Sequence, residues 1–189
     1  MVGPWGENEK NLKYREEIVS KDRPLLVDLM KKYPDRKFII NIVSNTMNID
    51  SQILNATKNM IQRKNISFQS EFDIVLRSMK ETFADLPYGA SQSDRLRFNT
   101  FKSLAPWESG LLPATPFRGD FYFTPLTWRK ISMINDQIVN EIHRRQKYVI
   151  VGPLKTEEDL KRAKGLGADG FLFENESLFK SYTTLHVDR

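Results

Sequence analysis

"TEEDLKRAKGLGADGFLFENESLF", residues 156–179, decides how this chain is read. Thr156 can offer its side-chain oxygen to the first helical amides. Glu157, Glu158 and Asp159 put negative charge in the first turn, where the helix dipole favours it. The helix leaves through glycine, and "ADGFLFEN" follows as a buried strand. Helix, glycine turn, apolar strand and turn form the closing unit of an alternating α/β chain.

The same alternation runs upstream. "PLLVDLMKKYP" begins with Pro24, a good first helical residue, and stops before Pro34. "KFIINIV", 37–43, is a continuous apolar run with β-branched bias, short for a helix and suited to a strand covered on both faces. "IDSQILNATKNMIQRKN" and "EFDIVLRSMKETF" are amphipathic helices, and "DQIVNEIHRRQ" is another, with Asp136 as its N-cap. Strands are expected near 37–43, 66–70, 88–91, 120–124, 130–134, 147–151 and 169–173, with 92–130 a long loop around the aromatic strand "GDFYFTP". Strands separated by helices imply βαβ units and a parallel sheet, either doubly wound or a (β/α) barrel. No dinucleotide fingerprint or phosphate-cradling P-loop follows any strand.

Of 189 residues, 40% are hydrophobic, enough for a core, and there is no cysteine, hence no disulfide and no thiolate metal site. The net charge of +5 is densest in "HRRQK", 143–147, read either as a helix C-terminus that suits cations or as an anion or headgroup patch. No apolar run reaches the length of a membrane span, and the polar start "MVGPWGENEK" lacks a signal core. The expectation is a soluble cytoplasmic protein, with nucleic acid an improbable partner.

"KYVIVGPLKTEEDLKRAKGLGADGFLFENESL" resembles the C-terminal end of the glycerophosphodiester phosphodiesterase family, whose members carry V-x-V-W-T-V-N, an acidic helix start and L-G-V-D-G-I-I-T-D. Aligned without a gap, Gly152 stands at the Trp, Lys155 at the Asn, and Glu174 at the final Asp. His143 falls on the His of the family's A-A-H, Ser70 and Glu71 on S-F, and "FIINIV" on F-N-I-E-I-K. The likeness runs over about residues 22–180 in the family's order.

The resemblance implies a TIM-barrel-like (β/α) fold, incomplete at its N-terminal end. Residues 1–21 would be a polar lead-in with a short helix at 8–19, residues 22–180 the barrel portion, and 181–189 a tail. It also implies ancestry in lipid-headgroup metabolism. Family chemistry uses H-R-G and H-D histidines as acid and base, and an E-x-D with the Glu of N-I-E-I-K to hold Mg2+ or Ca2+. This sequence has no H-R-G, and the segment that should carry the family's E-x-D, before residue 22, is absent. Asn41 occupies the ligand Glu position and Val43 the anion-binding Lys position.

Three readings follow. The first is a truncated or catalytically inactive phosphodiesterase-like protein, a pseudoenzyme that needs no metal. The second is an active metal-dependent phosphodiester hydrolase completed by a missing N-terminal segment or a partner chain. The third is a non-enzymatic α/β anion-binding module. The ligand implied by resemblance is a glycerophosphodiester or phospholipid headgroup. An unclosed parallel sheet implies a homodimer, a separate N-terminal fragment, or poor solubility. Glu71, Asp73 and Glu174 just beyond strands are read either as metal carboxylates or as helix-start and loop residues. Lys155 is read as an anion site or a solvated lysine, His143 as a proton donor or a surface histidine, and Phe121, Tyr122 and Phe123 as a ligand stack or a strand packed on both faces.

Overall fold

The computed structural model describes residues 26–45, 48–57, 65–102 and 114–184. The lead-in over 1–21, the second helix beyond Thr57, Pro106, Pro113 and His186 lie outside the described residues. The described residues fall into two compact units, one ending at Tyr88 and the other starting at Gly89.

In the first unit, α1 (Leu26–Lys32), β1 (Phe38–Ile42), α2 (Ile49–Thr57), β2 (Ile66–Ser70) and α3 (Asp73–Thr82) alternate. β1 and β2 pair in parallel, from Phe38 opposite Ile66 to Ile42 opposite Ser70. The period of two sorts their side chains. Phe38, Ile40 and Ile42 join Ile66 and Phe68 in a core with Met30, Val75 and Met79. Phe68 is fully buried, its ring 5.2 Å from that of Phe83 and 5.8 Å from that of Tyr88. The Tyr88 hydroxyl lies 2.8 Å from the carbonyl of Met79 and 2.6 Å from that of Phe83, and shares its proton between these two acceptors around the end of α3, which also accept from Phe83 N and Leu86 N.

The second unit contains α4 (Gln92–Lys102), β3 (Phe121–Thr124), β4 (Thr127–Trp128), β5 (Ile131–Ser132), α5 (Asp136–Arg144), β6 (Tyr148–Leu154), α6 (Glu157–Gly165), β7 (Gly170–Phe173) and α7 (Glu176–Thr184). β3, β6 and β7 form a parallel sheet with β6 in the middle. Its core includes Phe98, Tyr122, Ile138, Ile142, Val149 and Val151. The Thr156 capping box is present in full: its Oγ1 accepts from Asp159 N at 3.1 Å, and the Asp159 carboxylate accepts from Thr156 N at 3.3 Å.

The architecture is therefore α/β, with parallel strands alternating with helices. Among the described residues no sheet closes on itself: β1 is paired only with β2, and β7 only with β6. No described helix is long and apolar enough to cross a membrane.

Three elements differ from the sequence expectation. Residues 92–102 form α4 rather than loop, because Ser91 and Asp94 cap one another: Asp94 N donates to Ser91 Oγ at 3.2 Å and Ser91 N to Asp94 Oδ2 at 3.4 Å. The expected strand at 88–91 reduces to single bridges at Tyr88 and Gly89. The strand expected at 130–134 is instead the second arm of a two-residue hairpin. In addition, Asn135 rather than Asp136 caps α5, its Oδ1 accepting from Ile138 N at 3.1 Å. α7 carries regular structure to Thr184, into the stretch read as tail.

Candidate functional site

The candidates divide between the two units. In the first, Asn41, Val43, Glu71 and Asp73 gather at the C-terminal end of the β1–β2 pair. Ser70 ties that end together: its Oγ donates to Ile42 O at 2.8 Å and accepts from Phe72 N at 3.2 Å. This leaves Glu71 half-buried directly after β2 and Asp73 exposed at the start of α3. Asn41 stands opposite Gln69 in the register, on the face away from the helical core. Gln69 is fully buried and donates from Nε2 to Ser70 O at 3.2 Å. The Asn41 Oδ1 is buried and accepts no hydrogen bond. Val43, one step beyond β1, is 46% exposed.

In the second unit, Lys155 follows β6 and Glu174 follows β7. The Glu174 N–H donates to Leu154 O at 3.0 Å, which brings the two side chains together, Nζ 3.4 Å from Oε2. Lys155 is 67% exposed and Glu174 47%, so water screens the pair and it adds little stability. The amide of Lys155 donates to Asp159 Oδ2 at 3.1 Å. The start of α6 thus carries its own carboxylate, in the position a bound anion would take.

His143 sits at the other end of this sheet from Lys155 and Glu174. Its Nε2 is 2.9 Å from Asp169 Oδ2, and the same oxygen accepts from Val149 N at 2.7 Å, beside the start of β6. That contact fastens the end of α5 to the sheet. Phe121, Tyr122 and Phe123 are all buried, Tyr122 against the rings of Phe98 and Phe117 at 5.6 and 6.0 Å. The Tyr122 hydroxyl has no hydrogen-bond partner among the described residues, and burial pushes its pKa up against the opposing pull of Arg95.

The cations of 143–147 are taken up within the fold. Glu141, only 7% exposed, receives Arg144 Nε and Nη2 at 2.8 Å each and Arg145 Nε at 2.6 Å. Arg145 Nη1 also donates to Thr115 O at 2.7 Å, and Lys147 Nζ to Asp120 Oδ1 at 3.1 Å. Glu141 was not a sequence candidate. Its signal was available in the spacing, since Arg at i+3 and i+4 flanks a Glu on one helical face. The hydrogen bond from Arg144 holds the Glu141 carboxyl below the usual range, with Arg145 helping and burial opposing. A depressed folded pKa means stability present above the unfolded value and lost as pH falls through the folded one. Glu141→Gln should therefore cost about 2 kcal/mol at neutral pH. In urea melts at several pH values, its deficit against the parent should shrink on acidification below about pH 4.

At this end of the β1–β2 pair only Glu71 and Asp73 offer carboxylates. Asn41 is neutral, Val43 has no donor, and among the described residues no three His, Cys, Asp or Glu side chains come together as a metal set.

No family model matches the chain, and no curated protein matches it significantly. Solved structures do. One is a protein from Silicibacter pomeroyi DSS-3 assigned as a glycerophosphoryl diester phosphodiesterase. It has a TM-score of 0.57 and 14% identity over 78% of this chain and 50% of that one. Another, from Galdieria sulphuraria and assigned as a glycerophosphodiester phosphodiesterase, has a TM-score of 0.52 and 15% identity over 79% of this chain and 59% of that one. The chain spans about half the length of the structures it resembles. At this identity the likeness is one of fold alone: a partial, TIM-barrel-like α/β arrangement.

Proposed function

We propose that this chain is a glycerophosphodiester phosphodiesterase-like protein whose own residues do not carry the metal-dependent cleavage, and which retains the fold as a non-catalytic module of headgroup chemistry. The observation that supports this reading most is Asn41. A neutral amide with a buried, unpartnered Oδ1 stands one residue before the end of β1, two before an exposed Val43, at the two positions where the resemblance puts a metal-holding Glu and an anion-holding Lys. Cleavage by metal assistance needs carboxylates that fix the cation and a cation-rich wall for the developing phosphoryl charge. Asn41 and Val43 supply neither. Lys155 is also tied to Glu174, and the helix start beside it is filled by Asp159.

The test is release of glycerol 3-phosphate from glycerophosphocholine, with Mg2+, with Ca2+, and with chelator. No turnover above buffer is expected from the purified chain under any of the three. Metal-dependent turnover that survives repeated purification and disappears in Glu174→Ala would overturn the reading in favour of an active hydrolase.

A further inference from the structure

The hairpin between β3 and α5 has a backbone its sequence does not favour. Thr127 pairs with Ser132 and Trp128 with Ile131, leaving Arg129 and Lys130 as a two-residue turn. Both have positive φ, 48° and 68°, the type I′ geometry that Asn-Gly adopts at least cost. Two long cationic side chains in the left-handed region are a local strain, and strain held in place by surrounding structure points to use. The base is firmly held. Leu126 and Met133 are each 6% exposed, and Met133 N donates to Leu126 O at 3.0 Å. The Ser132 hydroxyl donates to Ile134 O at 2.9 Å and accepts from Arg162 Nη2 at 3.2 Å.

The tip combines three features. Arg129 and Lys130 are exposed and form no ion pair with a described residue, unlike Arg144, Arg145 and Lys147. The Arg129 guanidinium lies 4.8 Å from the Trp128 ring centroid, which keeps aromatic and cation together. Ile131, directly across from Trp128 and so on the same face of the hairpin, is 56% exposed. Two unpaired cations beside an aromatic ring and an uncovered aliphatic side chain match the layering of an anionic lipid surface, with phosphate outside, interface next and acyl chain below. Nucleic acid would use the cations but would give Ile131 nothing to bury against.

We propose that the β4–β5 hairpin is a docking tip for anionic lipid surfaces, holding weakly, reversibly and in a salt-sensitive way. This is independent of whether the chain cleaves phosphodiesters.

The test is co-sedimentation of the full chain with phosphatidylcholine vesicles, with and without phosphatidylserine. The parent chain should bind only the anionic vesicles. Arg129→Asn with Lys130→Gly removes both charges and supplies the preferred turn. Its melting temperature should equal or exceed the parent's, while vesicle partitioning falls about thirty-fold. Ile131→Ser keeps the charges and should lower partitioning about tenfold. Failure of the parent chain to bind anionic vesicles overturns the proposal, as does undiminished binding by the Asn-Gly variant. Binding to duplex DNA as tight as to vesicles, with Ile131→Ser unchanged in both, would assign the tip to polyanions and overturn the lipid assignment.

Discussion

Gly152→Ala should lower the stability of the second unit by about 3 kcal/mol or more and broaden or abolish its cooperative melt. Gly152 lies in β6, the middle strand, where it passes β7. A Cβ there would stand 2.5 Å from Leu172 O, 2.6 Å from Leu172 Cβ and 3.1 Å from Leu172 Cα. Two of those three are backbone atoms, so no rotamer change relieves the contact, and the strands must part. The register between β6 and β7 already shifts between Val151 and Leu154. Parting them would put the Glu174 N to Leu154 O bond, and with it the Lys155–Glu174 contact, under strain. Gly165→Ala is the control: nothing lies within 4 Å of its added methyl, and alanine in a helix is favoured over glycine, so that variant should melt at or above the parent. Hydrogen exchange over 148–154 and 170–173 reads the outcome directly. Parent-like protection in Gly152→Ala would mean the strands are less closely held than this approach requires.

Asn41→Glu should cost about 3 kcal/mol at neutral pH, because it places a carboxylate where an amide oxygen is already buried and unpartnered. Burial disfavours the charged form, so the introduced group would have a folded pKa above its unfolded value of about 4.3. The deficit should therefore be smallest below that pH and grow toward neutrality, in a window above the unfolded value rather than below it as for Glu141. Val43→Lys, at a side chain 46% exposed, should change stability by no more than about 0.5 kcal/mol. Urea midpoints at pH 4 and pH 7.5 separate the two. An Asn41→Glu deficit that does not change with pH would mean this strand face opens to water.

Much of the local structure was legible because its causes lie within a few residues of one another. Thr156 and Asp159 are three apart and make the capping box. The apolar run at 37–43 was read as a strand covered on both faces; it holds β1, but only Ile42 is buried and Ile39 is 49% exposed, so one face is less covered than its composition suggested. α4 was not legible because its apolar signal is thin. It buries Phe98 but also Asp94, Arg95 and Asn99, so no stripe stands out until the helix is placed against Tyr122. The second arm of the hairpin was read as one more strand, at 130–134, because "KISMIN" has strand composition. The positive φ of Arg129 and Lys130 has no sequence mark, since the usual Asn-Gly is absent.

By itself the sequence determined the α/β alternation, most strand positions and the cap of α6, and it put Asn41 and Val43 at the end of an apolar run. Periodicity, capping chemistry and residue identity are properties of neighbours along the chain. Only the tertiary structure decided which charges are spent and which remain. Glu141 takes up Arg144 and Arg145, Asp169 receives His143, and Asp159 fills the anion position beside Lys155, while Arg129 and Lys130 at a hairpin tip form no ion pair with a described residue. Only it set Gly152 against Leu172 and left the Asn41 oxygen without a donor. These depend on strand register and on which helix packs where. Such contacts join residues far apart in the chain, and their energies are settled by burial and distance rather than by composition.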